Sequence, residues 1–264
     1  MANAVEIAAK TVANAIAPAA AATAINVGFC PDKFLKYANI LIDNIEGGYY
    51  NPDWHYKAAM GISGETMFGM DRKAGAGLFT DGVGKSFWDL IDKNKSKDKW
   101  YHGYKAADLT IANTLRHQAA SIMYSQFDKL ANKYLGAANR KIVESDDCLS
   151  LHFYYACWNG SGRFQQFAKA INDEIKRQNG KTDLNMLRAV ALNSRINSGN
   201  NLIKRGGEIM EKLWKSKFGV TVTKSALETA KKNSISYAWL WITLGSVVIG
   251  GGVGLYLYKR RKAS

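Results

Sequence analysis

Ile45-Glu46-Gly47-Gly48-Tyr49-Tyr50-Asn51-Pro52 is where the chain changes character. Before it, from Pro31 to Ile45, Phe34, Leu35, Ala38, Leu41, Ile42 and Ile45 recur at helical spacing. Pro31-Asp32 suits a helix start and Gly47-Gly48 a stop. Glu46 is therefore expected on the last turn of an amphipathic helix, beside an apolar stripe. The negative end of the helix dipole and nearby apolar groups both disfavour an ionised carboxylate at that place. A carboxyl group with a raised pKa is what a general acid needs to protonate a glycosidic oxygen.

After the stretch, from Tyr49 to Gly77, aromatics, Gly and Thr replace the helical pattern, with turn signals at Asn51-Pro52, Gly61 and Gly64. This predicts a small hairpin or irregular lobe set against helices. Tyr49, Tyr50, Trp54 and Tyr56 can either stack on the apolar faces of sugars or fill the lobe's own core.

Glu46-Gly47-Gly48-Tyr49, followed by Gly64-Glu65-Thr66-Met67-Phe68-Gly69-Met70-Asp71, resembles the N-terminal signature of phage-type muramidases, glycoside hydrolase family 108 in particular. Members of that family begin with a helix ending in Glu-Gly-Gly-Tyr, and a Gly-Gly-x-Thr-x-x-Gly-Ile-Thr segment follows. Thr66 and Gly69 match the Thr-x-x-Gly part, and the resemblance runs from Phe34 to Gly75. It implies a lysozyme-like fold, mainly α with a small β-hairpin lobe, and makes Glu46 the catalytic acid. The family's Asp-Pro-Gly-Gly run is absent. Asp53-Trp54-His55-Tyr56-Lys57 stands nearby in a longer insert, and Asp71 replaces the final Thr. The second catalytic group stays open among Asp53, Glu65 and Asp71. Lytic transglycosylation is the other reaction the resemblance admits. It needs one carboxyl group, and Thr66 would then hold a water or orient the sugar.

The rest of the soluble part reads as helices. Phe87, Leu90 and Ile91 form a short one, Lys93 to Lys99 a charged connector, and Tyr104 to Leu135 a long helix stopped by Gly136. Asp146 and Asp147 open a further helix with carboxylates at its N-terminal end. It ends at Trp158-Asn159-Gly160-Ser161-Gly162. This Gly-rich turn is either a second cleft wall, with Trp158 and Asn159 as substrate contacts, or a plain helix-helix corner. Arg163 to Gln178, Asp183 to Asn197 and Leu202 to Phe218 are three more predicted helices.

The chain has 264 residues, a net charge of +14 and only 3 Pro, which fits a mostly helical protein. The charge favours anionic partners. Its Lys and Arg are scattered, so a general attraction is expected rather than a dedicated nucleic-acid site. Cys30, Cys148 and Cys157 are odd in number and lack a CxxC pair, which argues against a disulfide framework or a metal site. His55, His102, His117 and His152 do not have the spacing of metal ligands. No phosphate-binding Gly loop is present, and no cofactor is expected.

Ile235 to Tyr258 is long, uncharged and rich in Val, Ile, Leu and Gly. Aromatics cluster at both ends, and Lys259-Arg260-Arg261-Lys262 follows. This predicts one transmembrane helix. The expected organisation is an Ala-rich N-terminal segment over 1–30, a lysozyme-like catalytic domain over 31–220, a basic linker over 221–234, the membrane helix over 235–258 and a basic tail over 259–264. Together with the resemblance, this predicts a single-pass, membrane-anchored peptidoglycan hydrolase of a bacteriophage, placed in a virion's internal membrane or the host inner membrane. Its partners would be glycan strands, the bilayer, and capsid or other virion proteins. The competing expectation is a structural virion protein that uses the same fold only to bind peptidoglycan, nucleic acid or capsid proteins.

Overall fold

The computed structural model describes residues 26–53, 64–96, 111–198 and 200–233. They are mainly α-helical with one small sheet, as the sequence predicts. The chain divides into two compact units: Met1–Pro31 with Gly47–Ile122, and Asp32–Glu46 with Met123–Ser264. The span 31–220, expected as one domain, contributes to both.

The first unit holds a three-stranded antiparallel sheet of β1 (Tyr49–Tyr50), β2 (Thr66–Met67) and β3 (Met70–Asp71). Tyr49 pairs with Met67, and Thr66 with both Tyr50 and Asp71. Phe68 (φ 52°) and Gly69 (φ 73°) turn β2 into β3, both at the positive φ that a tight two-residue hairpin demands. Phe68 tolerates that backbone because its ring is fully buried. The next helix, α2 (Gly82–Asn94), buries Phe87, Trp88 and Ile91 along one face. Gly84 is required where α2 begins: a Cβ there would lie 1.8 Å from the Leu78 carbonyl oxygen.

The second unit is all helix. α1 (Asp32–Asn44) starts with an acidic residue in its first turn and buries Phe34, Tyr37, Ala38, Ile40, Leu41 and Ile42. α3 (Ala112–Tyr134) enters this unit from Met123 onward. α4 (Gly136–Glu144) and α5 (Asp147–Ala156) follow. α5 is buried from Cys148 to Ala156, the pattern of a helix surrounded by others. Asp146 caps it by accepting the Leu149 N–H at 2.9 Å, and also receives the Arg188 guanidinium of α7 (Leu184–Ile196). Around α5 the Phe34 ring lies 4.8 Å from Tyr124 and Phe127 and 5.2 Å from Tyr154. A short 3-10 turn, Cys157–Asn159, leads into α6 (Ser161–Arg177), and α8 (Asn201–Phe218) packs on α7.

Three expectations need correction. Gly136 (φ 74°) does break the long helix, but it starts α4, which the sequence pattern did not reveal. The basic linker over 221–234 is helical over 224–233, because Val222, Ala226 and Ala230 supply a buried stripe between the lysines. The helix opened by Asp146 and Asp147, expected to run to Trp158, ends at Ala156, because the chain has already tightened into the 3-10 turn at Cys157. Most of the Ala-rich segment 1–30, and all of the predicted membrane helix 235–258 and tail 259–264, lie outside the described residues. Among the described residues no helix is long and apolar enough to cross a membrane.

Candidate active site

Glu46 lies two residues beyond the end of α1 at Asn44, past the last turn on which the sequence placed it. Its backbone N–H donates to the Leu41 carbonyl at 2.9 Å, as does that of Ile45 at 2.8 Å, so the last turn closes beneath it. The residue is half-buried, and its carboxyl group makes no hydrogen bond or ion pair among the described residues. Burial pushes its pKa from the usual carboxylate range up to about 7. A carboxyl group poised near neutrality with no structural partner is a candidate for proton transfer.

The group that senses Glu46 is Tyr155, near the C-terminal end of α5. Burial raises the Tyr155 phenol to about 12, and the neighbouring Glu46 charge adds to this. Asn159 hydrogen-bonds that phenol, and the Arg195 guanidinium of α7 lies over the Tyr155 ring at 4.6 Å. Arg195 is completely buried. It donates to Asn159 Oδ1 at 2.8 Å, His152 Nδ1 at 3.1 Å and the His152 carbonyl at 3.1 Å. The second unit thus brings Tyr155, Asn159 and Arg195 together, and also carries Glu46, whose charge bears on Tyr155. Of these, the sequence pointed to Glu46 and Asn159 and missed the other two. The available signal was Leu187, Ala191 and Arg195 at four-residue spacing, which puts an arginine on an otherwise apolar stripe.

In the lobe, Glu65 is the hub of a separate network. Burial disfavours its charge, but hydrogen bonds from Lys95, Tyr49 and Arg72 outweigh this and lower its pKa. Lys95 Nζ is 2.6 Å from one oxygen and Arg72 Nη1 is 2.9 Å from the other, while the Tyr49 hydroxyl donates to the first. Arg72 and Lys95 also hold Asp92 of α2, at 2.8 and 2.9 Å. Glu65 therefore ties the sheet to α2. None of Arg72, Asp92 or Lys95 was marked by the sequence, because their meeting depends on tertiary packing.

The remaining candidates fall as follows. Tyr49 is 1 % exposed, so its ring face is closed to a sugar, and Thr66 is buried in the middle strand. Tyr50 is half-buried. Asp53 is exposed in a turn, its N–H donating to Asn51 Oδ1 at 2.9 Å. Asp71 Oδ1 accepts the N–H groups of Lys73 and Ala74, which makes it a turn former. Trp158 is half-buried, edge-on to Tyr154 at 5.3 Å. Trp54 lies outside the described residues. No group of His, Cys, Asp or Glu side chains suited to a metal ion forms among the described residues.

Comparison with protein-family models finds no match, and neither the curated proteins nor the solved structures yield one.

Proposed function

We propose that the chain is a membrane-anchored peptidoglycan hydrolase, built on a lysozyme-like helical domain, in which Glu46 is the proton donor. The observation that carries this reading is the Glu46 carboxyl itself. It lies just past the end of a helix, is half-buried with no hydrogen-bond or ion-pair partner among the described residues, and has a pKa pushed to about 7. The Glu-Gly-Gly-Tyr and Thr-x-x-Gly motifs add the substrate, the glycan strand next to N-acetylmuramic acid. Protonated Glu46 gives its proton to the glycosidic oxygen as the C–O bond breaks. The engagement of Glu65 in ion pairs and of Asp71 in a turn leaves neither free to act as a base. This favours a one-carboxyl route. In that route a hydroxyl of the muramic acid closes on the cationic carbon and returns its proton to Glu46, giving an anhydro end. Asp53 remains the candidate base for the hydrolytic route. The predicted helix over 235–258 would hold the enzyme in a virion or host inner membrane.

The test is digestion of purified peptidoglycan by the full chain in mild detergent. Soluble fragments from wild type and none from Glu46→Gln support the enzyme. Their masses distinguish anhydro ends from hydrolysed ones. Wild type that sediments with the wall but releases nothing establishes the binding-only alternative.

A further inference from the structure

In the second unit, one face of α6 borders a cleft of about 210 Å³ that α7 and the helix over 224–233 also line. Ala170, Val190 and Ala230 give it an apolar lining. Its charged lining is paired: Arg177 with Glu174, and Lys169 Nζ with Asp173 Oδ2 at 2.6 Å. Two cations and two carboxylates leave no net charge. Depth separates the signs, since the Glu174 side chain is 5 % exposed and that of Lys169 60 %. Glu174 binds Arg177 through one oxygen, and the other accepts a long hydrogen bond, 3.4 Å, from Gln178. A carboxylate accepts about four hydrogen bonds, so this one has room for another donor.

Asn233 also lines the cleft, and the uncharged run predicted to span a bilayer begins at Ile235. Two residues of chain reach at most about 7 Å by any path. The headgroup layer on either side of the hydrocarbon core is roughly 5–8 Å thick. With the run in a bilayer, the cleft therefore lies at the level of the lipid headgroups. It is smaller than the roughly 300–1,000 Å³ of sites for drug-sized ligands, so a headgroup fits and a whole lipid does not. We propose that the cleft binds the headgroup of a membrane phospholipid bearing a primary ammonium, that of phosphatidylethanolamine. The ammonium donates to the Glu174 and Asp173 carboxylates, and the phosphate meets Lys169 and Arg177 nearer the mouth. The acyl chains stay in the bilayer. Phosphatidylcholine fits poorly because its quaternary ammonium has no N–H to donate. Phosphatidylglycerol brings no positive group to the buried carboxylate, and a lining without net charge gives an anion no advantage. This rests on the membrane span of the proposed function and not on Glu46.

The experiment follows the side-chain amides of Asn193 and Asn233, both lining the cleft, by NMR in the full chain in mild detergent. Phosphatidylethanolamine, phosphatidylcholine and phosphatidylglycerol are added in separate titrations. Saturable shifts are expected with the first, at a half-saturation at least about fivefold below that of the other two. Glu174→Gln removes the deep charge, and Ala170→Leu fills the cleft from a partly exposed position. Each should abolish the preference, and Ala170→Leu decides alone if Glu174→Gln does not fold. Equal response to the three lipids, a preference for phosphatidylglycerol, or a preference that survives Ala170→Leu overturns the proposal. Soluble glycerophosphoethanolamine tests the source. It should bind more weakly than the lipid, which the micelle concentrates beside the anchor, and equal half-saturation overturns the lipid as occupant. None of this needs turnover. A chain inert on peptidoglycan would sink the hydrolase reading by itself, while the shifts still decide the cleft.

Discussion

At the scale of single residues, the Glu46 carboxyl couples the proposed function to stability. Its folded pKa of about 7 lies above the ordinary value of 4.5 for a glutamate. The folded state therefore holds its proton more tightly than the unfolded chain, and the stability this contributes is full below about 4.5 and is lost as pH rises through 7. Glu46→Gln removes the ionisation. It should leave the melting temperature little changed at pH 5 and raise stability by roughly 1–2 kcal/mol at pH 8, discounted for partial exposure. Thermal melts of both proteins at the two pH values check this. A melting difference independent of pH would mean that the carboxyl is ordinarily solvated. Glu46 was legible because helix spacing, a Gly-Gly stop and a motif all converged on one residue. Arg195 was not, because a lone cation on an apolar stripe looks like any scattered basic residue until its neighbours are known.

At the scale of elements, the strongest local signals produced the right helices. Asp146 illustrates this: an acidic pair before an apolar run marked the start of α5, and the carboxylate does cap it. Asp146→Ala removes the cap and strands the half-buried Arg188 partner, and should cost roughly 2–3 kcal/mol in urea unfolding. The start of α2 is fixed by contact instead. Gly84→Ala forces a methyl group onto the Leu78 carbonyl and should cost about 3 kcal/mol, whereas Gly162→Ala, whose Cβ would meet nothing within 4 Å, should be nearly neutral. Equal stability of the two variants would contradict the close approach. α4 escaped notice because Gly136 reads equally as the end of one helix and the hinge into another. The helix over 224–233 escaped because its small buried stripe, Ala226 and Ala230, hides among lysines.

At the scale of the whole molecule, composition and two segments carry the reading. A net charge of +14 should make association with an anionic wall or vesicle weaken steeply as salt rises. The apolar run from Ile235 to Tyr258 should by contrast keep the full chain in vesicles through a high-salt wash. Flotation before and after 1 M salt separates the two: complete release would argue against a spanning anchor. The mainly helical architecture was only partly legible, since the sequence pattern predicts helices and a hairpin but not their division into two units. In the proposed function, one half-buried carboxyl group cleaves a glycan strand. The most direct measurement is the rate of peptidoglycan solubilisation by the full chain across pH, for wild type and Glu46→Gln together. Wild-type activity should fall away above about pH 7, and Glu46→Gln should lose at least about 100-fold at every pH. Turnover by Glu46→Gln at the wild-type rate would contradict it.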